Sequence, residues 1–111
     1  MPVDNPDEID FVGQSRETGT VRMVISDHLP WDKPEAHLEI LRRKVDRYTR
    51  FIQSGDINAI VPAAKDNLKA IEVYFLMDPP KGTVPKTLDH WGSELGKVGI
   101  DFSYRKFNGA F

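Results

Sequence analysis

The feature that constrains the fold most is a long amphipathic stretch between Pro34 and Gly55. Its apolar residues recur at spacings of three and four, as on one face of an α-helix; they are Leu38, Leu41, Val45, Tyr48, Phe51 and Ile52. Asp32 and Glu35 match a capping box, and Pro34 suits the first turn. Gly55 can supply a left-handed C-cap. The sequence therefore predicts one helix of about five turns that starts at Asp32 and buries a single stripe.

Four other stretches have the alternation of apolar and polar residues that is typical of β-strands. They span residues 9–14, 20–26, 69–77 and 100–105, and a polar turn ending in Gly19 joins the first two. A second helix is expected from about Pro85, with a buried stripe of Leu88, Trp91, Leu95 and Val98. The order β-β-α-β-α-β predicts an α+β two-layer sandwich. In it, a four-stranded, largely antiparallel sheet carries two helices on one face.

The length and composition fit a single α+β domain that spans residues 1–111. The chain has no cysteine, which excludes disulfides, thiolate catalysis and cysteine-ligated metals. Its formal net charge of −2 provides no field that would recruit nucleic acid or an anionic membrane. No apolar run approaches the roughly 18 residues of a membrane span, and the start has no signal-peptide pattern. We therefore expect a cytoplasmic protein without a membrane role.

Histidine and aspartate cluster where the second strand passes into the long helix. Asp27, His28 and Asp32 lie in this connection, and His37 follows about one helical turn later. His28, Asp32 and His37 together could supply nitrogen and oxygen ligands to a metal ion, although their spacing matches no established metal motif. The alternative is structural. In that case the two aspartates make turn and cap hydrogen bonds, and the two histidines lie at the surface or are half-buried.

Other arrangements that resemble functional motifs lack essential parts. Asp89 and His90 are adjacent on a helix and point about 100° apart, which favours a solvated face over an acid–base pair. The run 81–83, Lys-Gly-Thr, lacks the earlier glycine of a phosphate-binding loop. One face of the long helix carries three arginines among acidic residues, which favours a solvated surface over a nucleic-acid site; they are Arg43, Arg47 and Arg50, with Glu39 and Asp46. We predict no catalytic residue and no cofactor.

The sheet face turned away from the helices is the most informative surface. Alternation places apolar side chains with a polar rim there, which is the usual composition of an interaction surface; they are Val12, Val24, Tyr74 and Leu76. The alternative is an amphipathic open sheet with no partner. If the face does bind, a second copy of the chain in a homodimer is the simplest partner, and another protein is the other choice.

Three segments together resemble a known family. They are Ile9-Asp10-Phe11 before a glycine-containing turn, Ile25-Ser26-Asp27-His28-Leu29 with Trp31, and Gly99-Ile100-Asp101-Phe102-Ser103-Tyr104. They resemble a family of short bacterial proteins catalogued as a domain of unknown function, and the resemblance extends over nearly the whole chain. It implies a bacterial source and an α+β fold, and it assigns no functional residue.

These observations favour a non-enzymatic binding or accessory protein, of which an immunity-type protein is one form. Such a protein would act through its open sheet face or through the loop of residues 27–32. The alternative is a small metal-dependent enzyme or metal-binding protein that uses His28, Asp32 and His37.

Overall fold

The computed structural model of the chain describes residues 11–62 and 67–107. The helices and strands of this part are β1 (Phe11–Gln14), β2 (Val21–Asp27), α1 (Pro34–Gln53), α2 (Ile57–Ile60), β3 (Lys69–Phe75), α3 (Thr83–Gly96) and β4 (Ile100–Lys106). Their order is the predicted one, with the short helix α2 added before β3. The first two residues of the first predicted strand lie outside the described residues. No helix in the described ranges combines the length and apolarity needed to cross a membrane.

The sheet is mixed, so the prediction of a largely antiparallel sheet is wrong. Its strands lie in the order β1-β2-β3-β4, with β1 antiparallel to β2 and the other two pairs parallel. The reason lies in the connections. A helix that joins two neighbouring strands carries the chain back to the end where the first strand began, so the second strand runs in the same direction. In the described part, only the turn between β1 and β2, with Gly19 at a φ of 77°, reverses a strand directly into its neighbour.

Both long helices contribute to one core on one face of the sheet. Met23 of β2 and Ile71 of β3 are in register on this face, and both are fully buried. The ring of Phe102 in β4 packs edge-on against Trp91 of α3, with centroids 6.3 Å apart. The predicted stripe of α1 is confirmed, apart from Leu38, which is half-buried; its buried members are Leu41, Val45, Tyr48, Phe51 and Ile52.

Helix α1 begins without the predicted capping box. Its N-cap residue is Lys33, at φ −127° and ψ 81°, and no side chain makes a capping hydrogen bond. Pro34 explains this boundary, because a proline disfavours a helical conformation in the residue before it and suits the first helical position itself. The helix therefore starts at Pro34 rather than at Asp32. At the other end, Gly55 has a φ of 87° and turns the chain, as predicted.

Helix α3 starts earlier and ends earlier than the pattern predicts. Its buried stripe consists of Val84, Leu88, Trp91 and Leu95. Val98, a predicted member of the stripe, lies beyond the helix end at Gly96 and is 52% exposed. The chain turns at Gly99, which has a φ of 80°, and residues 97–99 no longer follow the helix. Val98 therefore does not face the core.

Replacing Leu88 with alanine should lower the free energy of unfolding by about 2–5 kcal/mol, because the fully buried side chain would leave a cavity between α3 and the sheet. Val98→Ala is the matched control, since its exposed side chain should contribute no more than about 0.5 kcal/mol. Urea unfolding followed by circular dichroism measures both changes. Equal losses would contradict the observed end of α3.

Candidate functional site

The chain passes from β2 into α1 through a buried contact between a carboxylate and an imidazole. Asp27 is the last residue of β2, and His37 lies in the first turn of α1. The Nε2 atom of His37 lies 2.5 Å from Oδ2 of Asp27, and the two side chains are 2% and 0% exposed. The other carboxylate oxygen accepts a hydrogen bond from the N–H of Leu29 at 3.0 Å. We call this contact the Asp27–His37 pair.

The hydrogen bonds determine how many protons the Asp27–His37 pair holds. Nδ1 of His37 lies 3.0 Å from the carbonyl oxygen of Pro30, which can only accept a hydrogen bond. Nδ1 therefore carries a proton, and one further proton lies between Nε2 and Oδ2. Whichever atom holds that proton, the pair is neutral as a whole. A neutral, fully hydrogen-bonded pair can be buried without the large cost of an isolated charge.

Trp31 connects the Asp27–His37 pair to the neighbouring strand. Its ring stacks on the imidazole of His37, with centroids 3.6 Å apart and planes inclined by 22°. Phe75, the last residue of β3, packs edge-on against Trp31 at 5.4 Å. The indole N–H of Trp31 donates to the carbonyl of Met77 at 3.1 Å. The start of α1 is thus attached to the ends of both β2 and β3.

The structure separates the three residues of the metal hypothesis. His28 and Asp32 are exposed, while His37 is buried. Both ring nitrogens of His37 already make hydrogen bonds within the protein, so a metal bound there would break the Asp27–His37 pair. Within residues 11–62 and 67–107, no group of three or more histidine, aspartate or glutamate side chains is arranged to hold a metal ion. The geometry gives the metal hypothesis no support.

The expectation that His37 lies at the surface or is half-buried is wrong. Helical spacing does indicate that His37 is buried. His37 precedes Leu41 by four residues and Tyr48 by eleven, which places all three on one face of the helix. Lys44 is also fully buried on this face, with its ammonium nitrogen 5.5 Å from the ring centroid of Tyr48. Sequence reasoning missed both residues because charged and polar side chains are seldom buried.

A concave surface, which we call the carboxyl-end cleft, lies where β2 and β3 end. It has a volume of about 180 Å³ and is lined by Ser26, Asp27, His28, Tyr74, Leu76 and Phe107. The N–H of Leu76 donates to the carbonyl of Asp27 at 2.9 Å. The N–H of Phe107 donates to the carbonyl of Phe75 at 2.7 Å. Leu76 is 50% exposed, so the cleft combines a hydrogen-bonded backbone with an accessible apolar side chain.

The open face of the sheet carries a polar network at its centre. Arg22 donates two hydrogen bonds to the Glu72 carboxylate, at 2.9 and 2.8 Å. The Tyr74 hydroxyl donates to the same carboxylate at 3.2 Å, and the Arg105 guanidinium lies 5.4 Å from the ring centroid of Tyr74. Burial alone would raise the pKa of Glu72, but the hydrogen bonds and the charge of Arg22 outweigh burial and hold this pKa below its usual value.

The pairing of the strands changes the predicted interaction surface. Val12 is opposite Met23, so it lies on the helix-covered face and packs against the core. Its assignment to the open face is wrong, because the register with β2 decides which residues of a short strand share a face. Val24 is only 4% exposed, and Tyr74 is half-buried. Among the four residues, Leu76 alone is widely accessible.

A second cleft, of about 640 Å³, lies between the amino-terminal ends of α1 and α3. Its lining consists of Lys33, Pro34, Glu35, Ala36, Leu38, Pro80, Lys81, Thr83 and Val84. The sequence pattern did not indicate this cleft, because its two walls come from parts of the chain that only the folded structure brings together.

Removing one member of the Asp27–His37 pair should lower the free energy of unfolding by about 3–5 kcal/mol, because the other member would remain buried without its partner. Asp27→Leu and His37→Leu test this by urea unfolding. The double variant should lose clearly less free energy of unfolding than the two single variants lose together, since the two residues are in contact. His90→Leu is the control, because that side chain is 74% exposed beside Glu94. Strictly additive losses would show that the two residues are not coupled.

Glu72→Gln should remove part of the acid sensitivity of the fold. The pKa of Glu72 is lower in the folded than in the unfolded chain. Its contribution to the free energy of unfolding is therefore complete above the usual pKa of about 4.3, and it is lost as the pH falls through the folded pKa. Urea midpoints below about pH 4.3 should therefore fall less steeply in Glu72→Gln than in the wild type. Glu39→Gln is the control, since its ion pair with Arg43 is exposed. Parallel acid profiles for Glu72→Gln and the wild type would contradict this assignment.

Comparison with known proteins connects this architecture to a family. A family model described as a family of unknown function, DUF6572, matches residues 1–108. No curated protein and no solved structure shows significant similarity to the chain. The matched range includes every helix and strand of the described part, the Asp27–His37 pair and the carboxyl-end cleft. It confirms the resemblance seen in the sequence, and the chain belongs to the family of unknown function DUF6572.

Proposed function

We propose that the protein is a non-enzymatic binding protein that docks a partner protein on the carboxyl-end cleft. The observation that carries this proposal is the exposure of Leu76, which lines a concave site and is 50% accessible, next to Met77, which is 48% accessible. The cleft also joins the two surfaces favoured by the sequence. Tyr74 and Leu76 come from the open side of the sheet, and His28 comes from the loop of residues 27–32.

The hydrogen bonds around the cleft support this role. Leu76 is held by its backbone hydrogen bond to Asp27, and the carbonyl of Met77 accepts the indole N–H of Trp31. A site that is already formed loses little conformational entropy when a partner binds, so more of the contact energy appears as affinity. The cleft also lies at the carboxyl ends of the neighbouring parallel strands β2 and β3.

The burial of the titratable side chains favours binding over catalysis. Asp27 belongs to the lining of the cleft, but the side chains of the Asp27–His37 pair are only 0% and 2% exposed. A general acid or base must reach the proton that it transfers, either directly or through one water. These two groups are already hydrogen-bonded to each other and to backbone atoms, so they support the cleft instead of acting on a substrate.

Leu76→Asp should abolish partner binding, because it places a charge in the apolar rim of the cleft. Tagged wild type, Leu76→Asp and Val98→Asp are compared in pull-downs from cells of the source organism. Val98 is the matched control, since it is equally exposed but lies on the turn before β4. A true partner is retained by wild type and Val98→Asp and is reduced at least about tenfold with Leu76→Asp.

The retained protein is then purified, and calorimetry measures its affinity for the wild type, for Leu76→Asp and for Val98→Asp. Docking on the cleft is supported if wild type and Val98→Asp bind the purified partner equally well and Leu76→Asp binds it more weakly. If every retained protein binds Leu76→Asp as well as wild type, the carboxyl-end cleft is not the docking site.

A further inference from the structure

The outer edge of β4 has no strand beside it in the described part of the chain. β4 is the last strand of the sheet, and its register with β3 continues without interruption from the Lys69–Ile100 pair to the Phe75–Lys106 pair. The strand therefore has no bulge, and it contains no proline. Bulges and prolines are two of the devices that protect an edge strand from pairing. In the described part of the chain, the protection that β4 retains is the charge of Asp101, Arg105 and Lys106.

One hydrogen bond reveals which backbone groups face this edge. The N–H of Phe107 donates to the carbonyl of Phe75 in β3. Because successive residues of a strand turn their N–H and C=O groups to opposite sides, the odd-numbered residues of β4 face β3, in step with Phe107. The even-numbered residues, which include Phe102 and Tyr104, turn these groups toward the outer edge.

The side chains of β4 are complementary to those of a second, antiparallel β4. A two-fold axis at Ser103 places Asp101 opposite the partner's Arg105, and both residues are exposed. The same axis places Phe102 opposite the partner's Tyr104. The backbone groups of both residues face the outer edge, so the two residues can form a hydrogen-bonded pair. Opposite charges and aromatic rings that face each other across strands contribute roughly 0.2–1 kcal/mol per pair. The symmetry makes each of these pairs occur twice.

The charges select this register among those that the backbone permits. An axis at Phe102 or at Tyr104 would also bring outward-facing residues together. The first would place Asp101 opposite the partner's Ser103, and the second would place Arg105 opposite the partner's Ser103. Both registers lose the ion pairs and leave one end of the strand unpaired, whereas the axis at Ser103 uses the whole of Ile100–Lys106.

The surroundings of the edge leave room for the partner strand. An open cleft of about 270 Å³ lies at the amino end of β4 beside α3, and it is lined by Gly92, Gly96, Gly99, Ile100 and Asp101. With the axis at Ser103, the partner's Lys106 lies opposite Ile100, on the sheet face that α3 covers. Since α3 presents glycines here, the cleft can accept the long side chain of that lysine once it leaves its exposed ion pair with Asp78.

We infer that two copies of the chain pair through β4, antiparallel and centred on Ser103, so that their two four-stranded sheets become one continuous sheet. This surface and this partner differ from those of the carboxyl-end cleft, and neither proposal depends on the other. A contact made by one strand edge is small, so the dimer is reversible and forms at roughly micromolar concentrations or above.

Ser103→Cys tests the register, because the chain has no other cysteine. The two residues at the axis form a non-hydrogen-bonded pair with Cα atoms about 4.5 Å apart, within the range of a disulfide. Mild oxidation should therefore crosslink most of this variant into dimers, which non-reducing electrophoresis detects. Asp101→Cys and Arg105→Cys are the controls, since their thiols would lie on opposite sides of the axis and roughly 13 Å apart. Failure of Ser103→Cys to crosslink, or crosslinking of a control to the same extent, would overturn the proposal.

Charge reversal tests the same contact without a covalent bond. Arg105→Asp and Asp101→Arg each turn two attractive pairs into repulsive ones, so each should weaken dimerisation at least about tenfold in sedimentation velocity over a concentration series. The double variant D101R/R105D restores opposite charges across the axis and should recover the wild-type dissociation constant. Circular dichroism checks the fold of each variant, because Arg105 also lies over the Tyr74 ring. A monomeric wild type, or a double variant as weak as the single ones, would overturn the inference.

Discussion

The contact between Asp27 and His37 fixes the start of α1 to the end of β2, while the rest of the helix packs on the sheet through the apolar core. Helix α1 starts with no side-chain cap, and the imidazole in its first turn attaches this end of the helix to the last residue of β2. Trp31 extends this attachment to β3 through its hydrogen bond to Met77 and its contact with Phe75. Because the pair is neutral and fully hydrogen-bonded, it joins polar groups in the interior without leaving a charge unpaired.

The sequence predicts the helices and strands well because hydrophobic period is a local property. The stripe of α1 and the alternation of β4 depend only on residues a few positions apart. Strand direction and register are set by pairing between distant segments, and local period does not encode them. The antiparallel prediction failed for that reason, as did the placement of Val12. The predicted helices between strands did indicate the strand directions, since a helix that connects two adjacent strands makes them parallel.

The candidate site was predicted in composition but not in geometry. Sequence proximity grouped Asp27, His28, Asp32 and His37, whereas the fold buries the first and last of these and exposes the other two. Strand alternation turns Asp27 toward the helices, and helical spacing places His37 on the buried face of α1. The two side chains meet only because the chain turns back between them, through Pro30 and Pro34. Closeness in sequence is therefore a poor guide to a shared site.

The two proposed surfaces reinforce each other once strand direction is considered. The carboxyl-end cleft lies at the end of β2 and β3, and β4 runs parallel to them. Antiparallel pairing of two β4 strands would therefore place the two clefts at opposite ends of the continuous sheet. A partner that carries two copies of its binding segment could occupy both clefts, and the second contact would form at the high effective concentration created by the first. A shallow cleft and a weak dimer would then together give a firm complex, while either alone would give only a transient one.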